Sequence, residues 1–430
     1  MASTDLQTNL FINNEYVPSS TSETLTIYNP STDELVTDKV QVASEQDVDA
    51  AVAAAKKAFP QWCTLPGSKR TAIMLKFATL LESHAHSIAA LECAAMGQPI
   101  TLATYIVRTA AAIWTYYAGY AGKIKGESYP PDADGMYKIV EYVPLGVCAG
   151  ICAWNGTHAI AAWKMAAALA VGNTFVLKTS EKSPLGAAAY GELIREAGFP
   201  PGVVNIVAGD GKVGAMLAGH MQIAKIAFTG SATSGRAVCI AAAKSNLKHV
   251  SLELGGKSPA LIFEDADIEN AVVHNSASFL LNSGQICYAA SRVLVQESIA
   301  PKFIDAVKKS FEAAANKMGD PTLQETAFGP LADKKQFERV MGFLSDGKQE
   351  GVQVLVGGER MGDKGAFVQP TVLLNPDSKS KVYTDEIFGP VISIKTFKTE
   401  EEAIHMANDT TYGLGCEITR SAASLEIQAC

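Results

Sequence analysis

From residue 146 onward the chain alternates short, wholly apolar runs with longer Ala-rich stretches. "GVCAGICA", "TFVLK", "VVNIVAG", "KIAFTGS" and "HVSLELGG" are too short and too apolar for a surface helix and read as strands. The stretches between them read as helices: "HAIAAWKMAAALAVGN", "SPLGAAAYGELIREAG", "KVGAMLAGH" and "TSGRAVCIAAAKS". In the second of these, Ser183 fits an N-cap, Pro184 the first helical position and Gly198 the residue past the end. Strands alternating with helices predict βαβ units and a parallel sheet covered on both faces. Ligands of such sheets sit at the carboxyl ends of the strands, so Lys178, Gly230, Ser231 and Glu253 are expected on one rim.

Upstream, "EQDVDAAVAAAKKAF" has an acidic first turn and helical propensity. Residues 68–118 continue the helical pattern, broken at Gly97 and Pro99. "GESYPPDADGM" carries turn chemistry and "YKIVEYVPLG" reads as an exposed strand. Downstream, "PALIF", "SRVLVQE", "VQVLVGG", "VQPTVLL" and "PVISIKTF" are strands of a second α/β unit, and "ADIENAVVHNSASFLL" is a helix leading into "NSGQICYAAS".

Composition narrows the classes. With 430 residues, two or three domains are expected. The net charge of −8 leaves no basic excess for a nucleic-acid partner. The longest apolar candidate, "AIAAWKMAAALAVG", is interrupted by Lys164, so no membrane span is expected, and "MASTDLQTNLF" lacks the pattern of a signal peptide. The 8 cysteines form no C-x-x-C pair and the 7 histidines no H-E-x-x-H, so no metal site is expected and a cytoplasmic protein with reduced thiols is.

Six segments carry candidate chemistry. Cys287 lies among small and polar residues after an apolar run; most cysteines only pack, and a nucleophile needs an accessible, electropositive setting. Glu253 ends an apolar strand beside two glycines, where a desolvated carboxylate of raised pKa would act as general base, or else pair with Lys257. Asn155 offers an amide donor of the type that stabilises an oxyanion, although a loop Asn is more often a turn residue. "GDGKVG" matches a dinucleotide fingerprint in a strand-to-helix context, but no acid follows before Glu253. Lys178 and Glu181 give one donor and one acceptor for ribose hydroxyls, and the "FTGS" turn gives backbone N–H groups and the Ser231 hydroxyl for pyrophosphate.

Taken in order, these residues resemble the aldehyde dehydrogenase superfamily. "LELGGKSP" and "NSGQICYAASRV" are similar to its two active-site signatures. "FTGS", "KTSEKSP", Trp154-Asn155 and "DEIFGPV" are similar to its cofactor and oxyanion segments. The resemblance covers residues 10 to 415. It implies an α/β fold with a Rossmann-like NAD-binding domain (1–125 and 147–257), a small β oligomerisation arm (126–146) and a catalytic α/β domain (258–430). It implies Cys287 as nucleophile, Glu253 as base and Asn155 as oxyanion donor. Trp154, Lys178, Glu181, Gly230, Ser231, Glu386 and Phe388 would hold NAD, with NADP as the alternate. The implied reaction oxidises an aldehyde to an acid in a homodimer or larger homo-oligomer.

Two departures from the family pattern stand out. "GTHA" follows Asn155 where the family has an aromatic-Pro pair, which loosens the backbone at Gly156 and sets His158 near the substrate entrance, or simply at a helix start. After "TYGLG" the family's Gly-rich loop and last strand are not recognisable, and "CEITRSAASLEIQAC" reads as a divergent or truncated end that would weaken subunit pairing and leave a sheet edge uncovered. These motivate two other readings: a non-oxidative thiol-dependent isomerase or esterase acting on an unsaturated carbonyl compound, and a silent NAD-binding paralogue. The substrate pocket is expected around Trp114, Tyr117, His158, Ile286 and Tyr288.

Overall fold

The computed structural model describes residues 6–421. The chain divides into two compact units, one of residues 1–27, 37–92 and 103–253, the other of residues 28–36, 93–102 and 254–430.

Four short strands, β1 (Leu10–Ile12), β2 (Glu15–Val17), β3 (Thr24–Tyr28) and β4 (Leu35–Gln41), open the chain, and sequence reading named none of them. Helix α1 (Glu45–Thr64) follows, closed by a capping box in which Ser44 and Asp47 satisfy each other's backbone N–H. Next come α2 (Gly67–Ser83), α3 (Ala85–Met96) and α4 (Ile100–Ala118). The hairpin β5 (Glu127–Tyr129) and β6 (Lys138–Val140) is exposed at every strand residue.

The βαβ series then runs as the alternation predicts. Its order is β7 (Val147–Ile151), α5 (Thr157–Ala170), β8 (Thr174–Lys178), α6 (Leu185–Ala188), α7 (Tyr190–Ala197), β9 (Val204–Val207), α8 (Gly211–Gly219), β10 (Lys225–Thr229), α9 (Ala232–Lys244) and β11 (His249–Glu253). The first unit's sheet has the order β11-β10-β7-β8-β9-β1-β2, with its first five strands parallel. Strands β7, β8 and β9 are buried at every residue, which is why they read as unbroken apolar runs. The chain steps from β7 to β8 and β9, then returns to β10 on the other side of β7. The strand order therefore reverses at β7, the place where open α/β sheets bind ligands. Beneath the sheet lies an aromatic cluster of Trp62, Phe77, Trp114, Tyr190 and Phe199, with Phe77 and Trp114 centroids 4.6 Å apart.

Ser183 does not cap a helix. Helix α6 starts after Pro184 with no side-chain cap, because the Ser183 hydroxyl is engaged by Thr157 at 2.7 Å. Gly198 does end α7 in the left-handed conformation, at φ 94°.

The second unit contains β12 (Pro259–Ile262), α10 (Ile268–Val273), β13 (Arg292–Gln296), α11 (Ala300–Ala315), α12 (Lys334–Gln349), β14 (Gln353–Val356), β15 (Thr371–Leu374), α13 (Lys381–Thr384), β16 (Val391–Phe397), α14 (Glu400–Asn408) and β17 (Glu417–Thr419). Its sheet order is β14-β15-β16-β13-β12-β17, antiparallel only at β14. The helix expected over 266–281 is shorter: α10 gives way to a π-turn at His274–Ser278. Within "CEIT", β17 pairs in parallel with β12; residues 422–430 of that stretch lie outside the described residues. No helix of the described residues is long and apolar enough to cross a membrane.

Candidate active site

In the first unit, the strand ends are flush. Ile151 pairs with Lys178 on one side and Phe228 on the other, and Thr229 pairs with Glu253. The turns that follow therefore open on one rim.

Lys178 is buried, and its ammonium donates to the Thr179 carbonyl at 2.9 Å and faces Glu181 at 3.9 Å. Burial pulls the Lys178 ammonium below its ordinary pKa, with the charges of Glu181 and Asp210 opposing that drift. Ser231 caps α9, its hydroxyl accepting the Ser234 N–H at 3.2 Å, and Gly230 N–H donates to the Glu253 carbonyl at 3.0 Å. The exposed start of α9 thus presents backbone N–H groups to solvent, a natural seat for a phosphate. In "GDGKVG", Asp210 caps α8 by accepting the Lys212 N–H.

Asn155 lies in the turn between β7 and α5, partly buried. That turn is fastened at its flanks. Thr157 and Ser183 hydroxyls both reach the Trp154 carbonyl, at 3.3 and 3.4 Å, and Lys182 sits over the Trp154 ring at 5.0 Å.

Glu253 corrects one expectation. It ends an edge strand whose residues alternate outward, and its side chain is exposed rather than desolvated. The charge of Glu253 acts on Lys164. Glu253 borders a cleft of about 820 Å³ whose wall includes Trp163, Lys164 and Lys225.

In the second unit, Cys287 is a half-buried cysteine in no disulfide. Its loop is shaped by three consecutive left-handed residues, Asn282, Ser283 and Gly284. Side chains hold the turn: Gln98 donates to Asn282 at 3.2 Å, Ser283 to the Gly329 carbonyl at 2.6 Å, and Gln285 accepts the Ala332 N–H at 2.9 Å. A Cβ on Gly284 would lie 2.2 Å from the Gly389 carbonyl oxygen, and one on Gly256 would lie 2.4 Å from that of Cys287. Only glycine lets these three loops close on one another.

Glu386 follows α13. Its carboxylate accepts the Gly256 N–H at 3.0 Å, and a Cβ on Gly255 would collide with it. Burial raises the Glu386 pKa despite that hydrogen bond and the nearby Arg339 and Lys257. Phe388 adopts φ 61°, rare for an aromatic residue, and its carbonyl accepts from Gln336 at 2.8 Å. Lys257 is fully buried, donates to the Val382 carbonyl, and is pushed down to about 7 by burial and by neighbouring Arg292. Sequence reading missed this Lys257–Arg292 pair and the Gln98, Ser283 and Gln285 clamps; nothing local distinguishes such residues from surface polar ones.

The expected pocket residues divide. Trp114 is core, packed on Phe77 and Phe199, and His158 is buried at 1% exposure rather than lining an entrance. Tyr288 is exposed.

Two α/β units, one with a ligand rim at its sheet reversal and one presenting a thiol in a clamped loop, define the class of a dinucleotide-linked oxidoreductase with a cysteine. The model of the aldehyde dehydrogenase family matches residues 16–425. An aldehyde dehydrogenase of Davidiella tassiana is 45% identical over 413 residues, 96% of this chain and 82% of that protein. The cytosolic 1 aldehyde dehydrogenase of Rattus norvegicus is 42% identical, covering 96% of this chain and 82% of that one. The NAD+ complex of aldehyde dehydrogenase from Bacillus cereus superposes with a TM-score of 0.93 at 39% identity, over 96% of this chain and 84% of that one. An NADP-dependent enzyme of E. coli does so with a TM-score of 0.93 at 33% identity, over 97% and 86%. The chain belongs to the aldehyde dehydrogenase family and, as a member, is an NAD(P)-dependent enzyme that oxidises aldehydes.

Proposed function

We propose that this chain oxidises an aldehyde to a carboxylic acid through a covalent thioester on Cys287, with NAD+ as the preferred cofactor. The observation that carries the reading is the half-buried thiol of Cys287 held in a clamped loop, in a chain whose other unit offers a dinucleotide rim.

The donors present fit NAD: Lys178 and Glu181 for the adenosine ribose, Gly230, Ser231 and the α9 N-terminus for pyrophosphate, Trp154 beside them, and Glu386 and Phe388 for the nicotinamide ribose and ring. A carboxylate at Glu181, beside Lys178, accepts a ribose hydroxyl and repels a 2′-phosphate, which favours NAD over NADP. When bound, NAD+ supplies the hydride acceptor.

The Cys287 thiolate adds to the aldehyde carbon, and the resulting alkoxide is held by the Asn155 amide and the Cys287 backbone N–H. The alkoxide collapses, hydride leaves the same carbon, and a thioester remains on Cys287. Glu253 takes a proton from water as the water attacks the thioester, releasing the acid and the thiolate. Its exposure beside a cleft gives the Glu253 carboxylate access to that water. The exposed β5–β6 hairpin serves as the arm of a homo-oligomer.

The test mixes the protein with NAD+ and a panel of aldehydes, following NADH absorbance. One NADH per acid formed is expected, and none from the Cys287→Ala variant; turnover that survives this substitution sinks the covalent mechanism. Product without NADH would instead favour non-oxidative chemistry on the same thiol.

A further inference from the structure

His158 is the second residue of α5, three positions after Asn155. Its imidazole is 1% exposed and is enclosed by three elements of the first unit. On one side Nδ1 meets the Tyr190 hydroxyl of α7 at 2.6 Å. On the other Nε2 lies 3.2 Å from the Glu92 carboxylate of α3, itself 1% exposed. Neither of those two atoms finds a hydrogen-bond partner elsewhere, so they face only each other. Gly186 of α6 closes the site from above: a Cβ there would lie 2.4 Å from the Glu92 oxygen and 2.8 Å from His158 Nε2.

The protons can be placed. Burial, reinforced by the charge of Glu92, raises the Tyr190 pKa well above its ordinary value, so the phenol keeps its hydrogen. The phenol then donates to Nδ1, and the imidazole carries its own hydrogen on Nε2, toward the Glu92 carboxylate.

A buried polar cluster of this kind favours one fixed arrangement of its members, and its gain is rigidity. Here the rigidity falls on the first turn of α5. Beside it, Thr157 and Ser183 hold the Trp154 carbonyl. The turn that carries Asn155 is thus fastened by the buried Thr157 and Ser183 hydroxyls and, one residue further on, by His158. The pair "Gly-Thr" that precedes His158 offers no bulky side chain of its own to fix that turn.

We infer that His158, locked between Glu92 and Tyr190, is a positioning residue for the oxyanion donor Asn155. This inference rests on the proposed role of Asn155. His158 itself touches no substrate, because its ring is buried.

The test compares Tyr190→Phe, His158→Ala and His158→Gln, each alone and combined with Asn155→Ala. Tyr190→Phe removes only the hydroxyl and leaves the ring in the core, so it remains informative if the His158 variants fail to fold. The readouts are the rate of first-turnover NADH formation, the Kd for NAD+ by fluorescence, and the Tm. Asn155→Ala alone should slow the first turnover by about 10²- to 10³-fold. Tyr190→Phe and His158→Ala should slow it by about 10-fold, because a small displacement of a donor is felt at the reacting atoms. The Kd for NAD+ should change less than about 2-fold, below the tenfold that 1.4 kcal/mol represents. His158→Gln, whose amide reaches the Nε2 position, should recover part of the rate. In the Asn155→Ala background the network substitutions should add nothing. Equal slowing in both backgrounds, or a lowered Tm with an unchanged rate, overturns the role of His158. Full activity of Asn155→Ala is a different failure: it overturns the oxyanion reading on which the inference stands.

Discussion

Glu253 and Glu386 are the same side chain in opposite settings. Glu253 ends an edge strand, exposed, and borders a cleft. Glu386 follows a short helix of the second unit, largely buried, and accepts a backbone N–H from Gly256. The sequence suggests burial for Glu253, because its strand is apolar; yet alternate residues of a strand face opposite sides, and an edge strand leaves one of them open. Apolar neighbours in sequence therefore do not establish what surrounds a strand residue in space. The contrast also suits two tasks. A carboxylate that activates water needs water beside it, whereas one that holds a ribose needs a fixed position.

The largest effect expected from this comparison is at Glu253. Glu253→Gln keeps size and exposure but removes the base. Steady-state turnover should fall by about 10²- to 10⁴-fold, while a first-turnover burst of NADH persists, because hydride departure precedes the water step. Rapid-mixing absorbance separates the two phases. Equal loss of burst and turnover would place Glu253 earlier in the sequence of steps and erase the proposed division of labour.

Much of the scaffold was legible because its strands are buried on both faces. Apolar runs such as "TFVLK" and "VVNIVAG" coincide with β8 and β9, and the series of strand and helix in the first unit follows directly. The placement of Lys178 at the end of β8 and of Ser231 at the start of α9 was legible because turn residues follow each strand. What stayed hidden depends on distant partners. Strands β1 and β2 are three residues each, too short for a period to show. Ser183 looked like a cap until Thr157, 26 residues away, took its hydroxyl. The α10 stretch has a helical pattern, but its ladder slips at His274–Ser278. His158 looked like a helix-start residue, and only the approach of α3 and α7 shows what it pairs with.

The next effect concerns how tightly Glu386 is seated. A Cβ on Gly255 would fall 2.2 Å from a Glu386 oxygen, so Gly255→Ala must displace that carboxylate. Overpacking of this kind costs about 1–3 kcal/mol. If the cost is felt as a shifted Glu386, the KM for NAD+ should rise by about 10-fold with kcat reduced less, since 1.4 kcal/mol is one factor of ten. A fall in Tm with unchanged KM would show that the loop absorbs the methyl elsewhere and that the position of Glu386 is not what binds cofactor.

The smallest effect is on stability, and its sign follows from burial. The pKa of Glu386 is raised above the ordinary carboxylate value of 4.5, chiefly by desolvation. The folded protein thus holds the Glu386 proton more tightly than the unfolded chain does. The stability this contributes is fully present below 4.5 and is lost as pH rises through the raised folded value. Glu386→Gln cannot ionise, so the Tm of the variant minus that of the parent should increase with pH above 4.5 and level off above the raised folded value. The lost acceptor charge at Gly256 works the other way and is independent of pH, so the slope rather than the offset is diagnostic. A flat difference would mean that Glu386 is well solvated after all, and the contrast between the two carboxylates would then be one of hydrogen bonding alone.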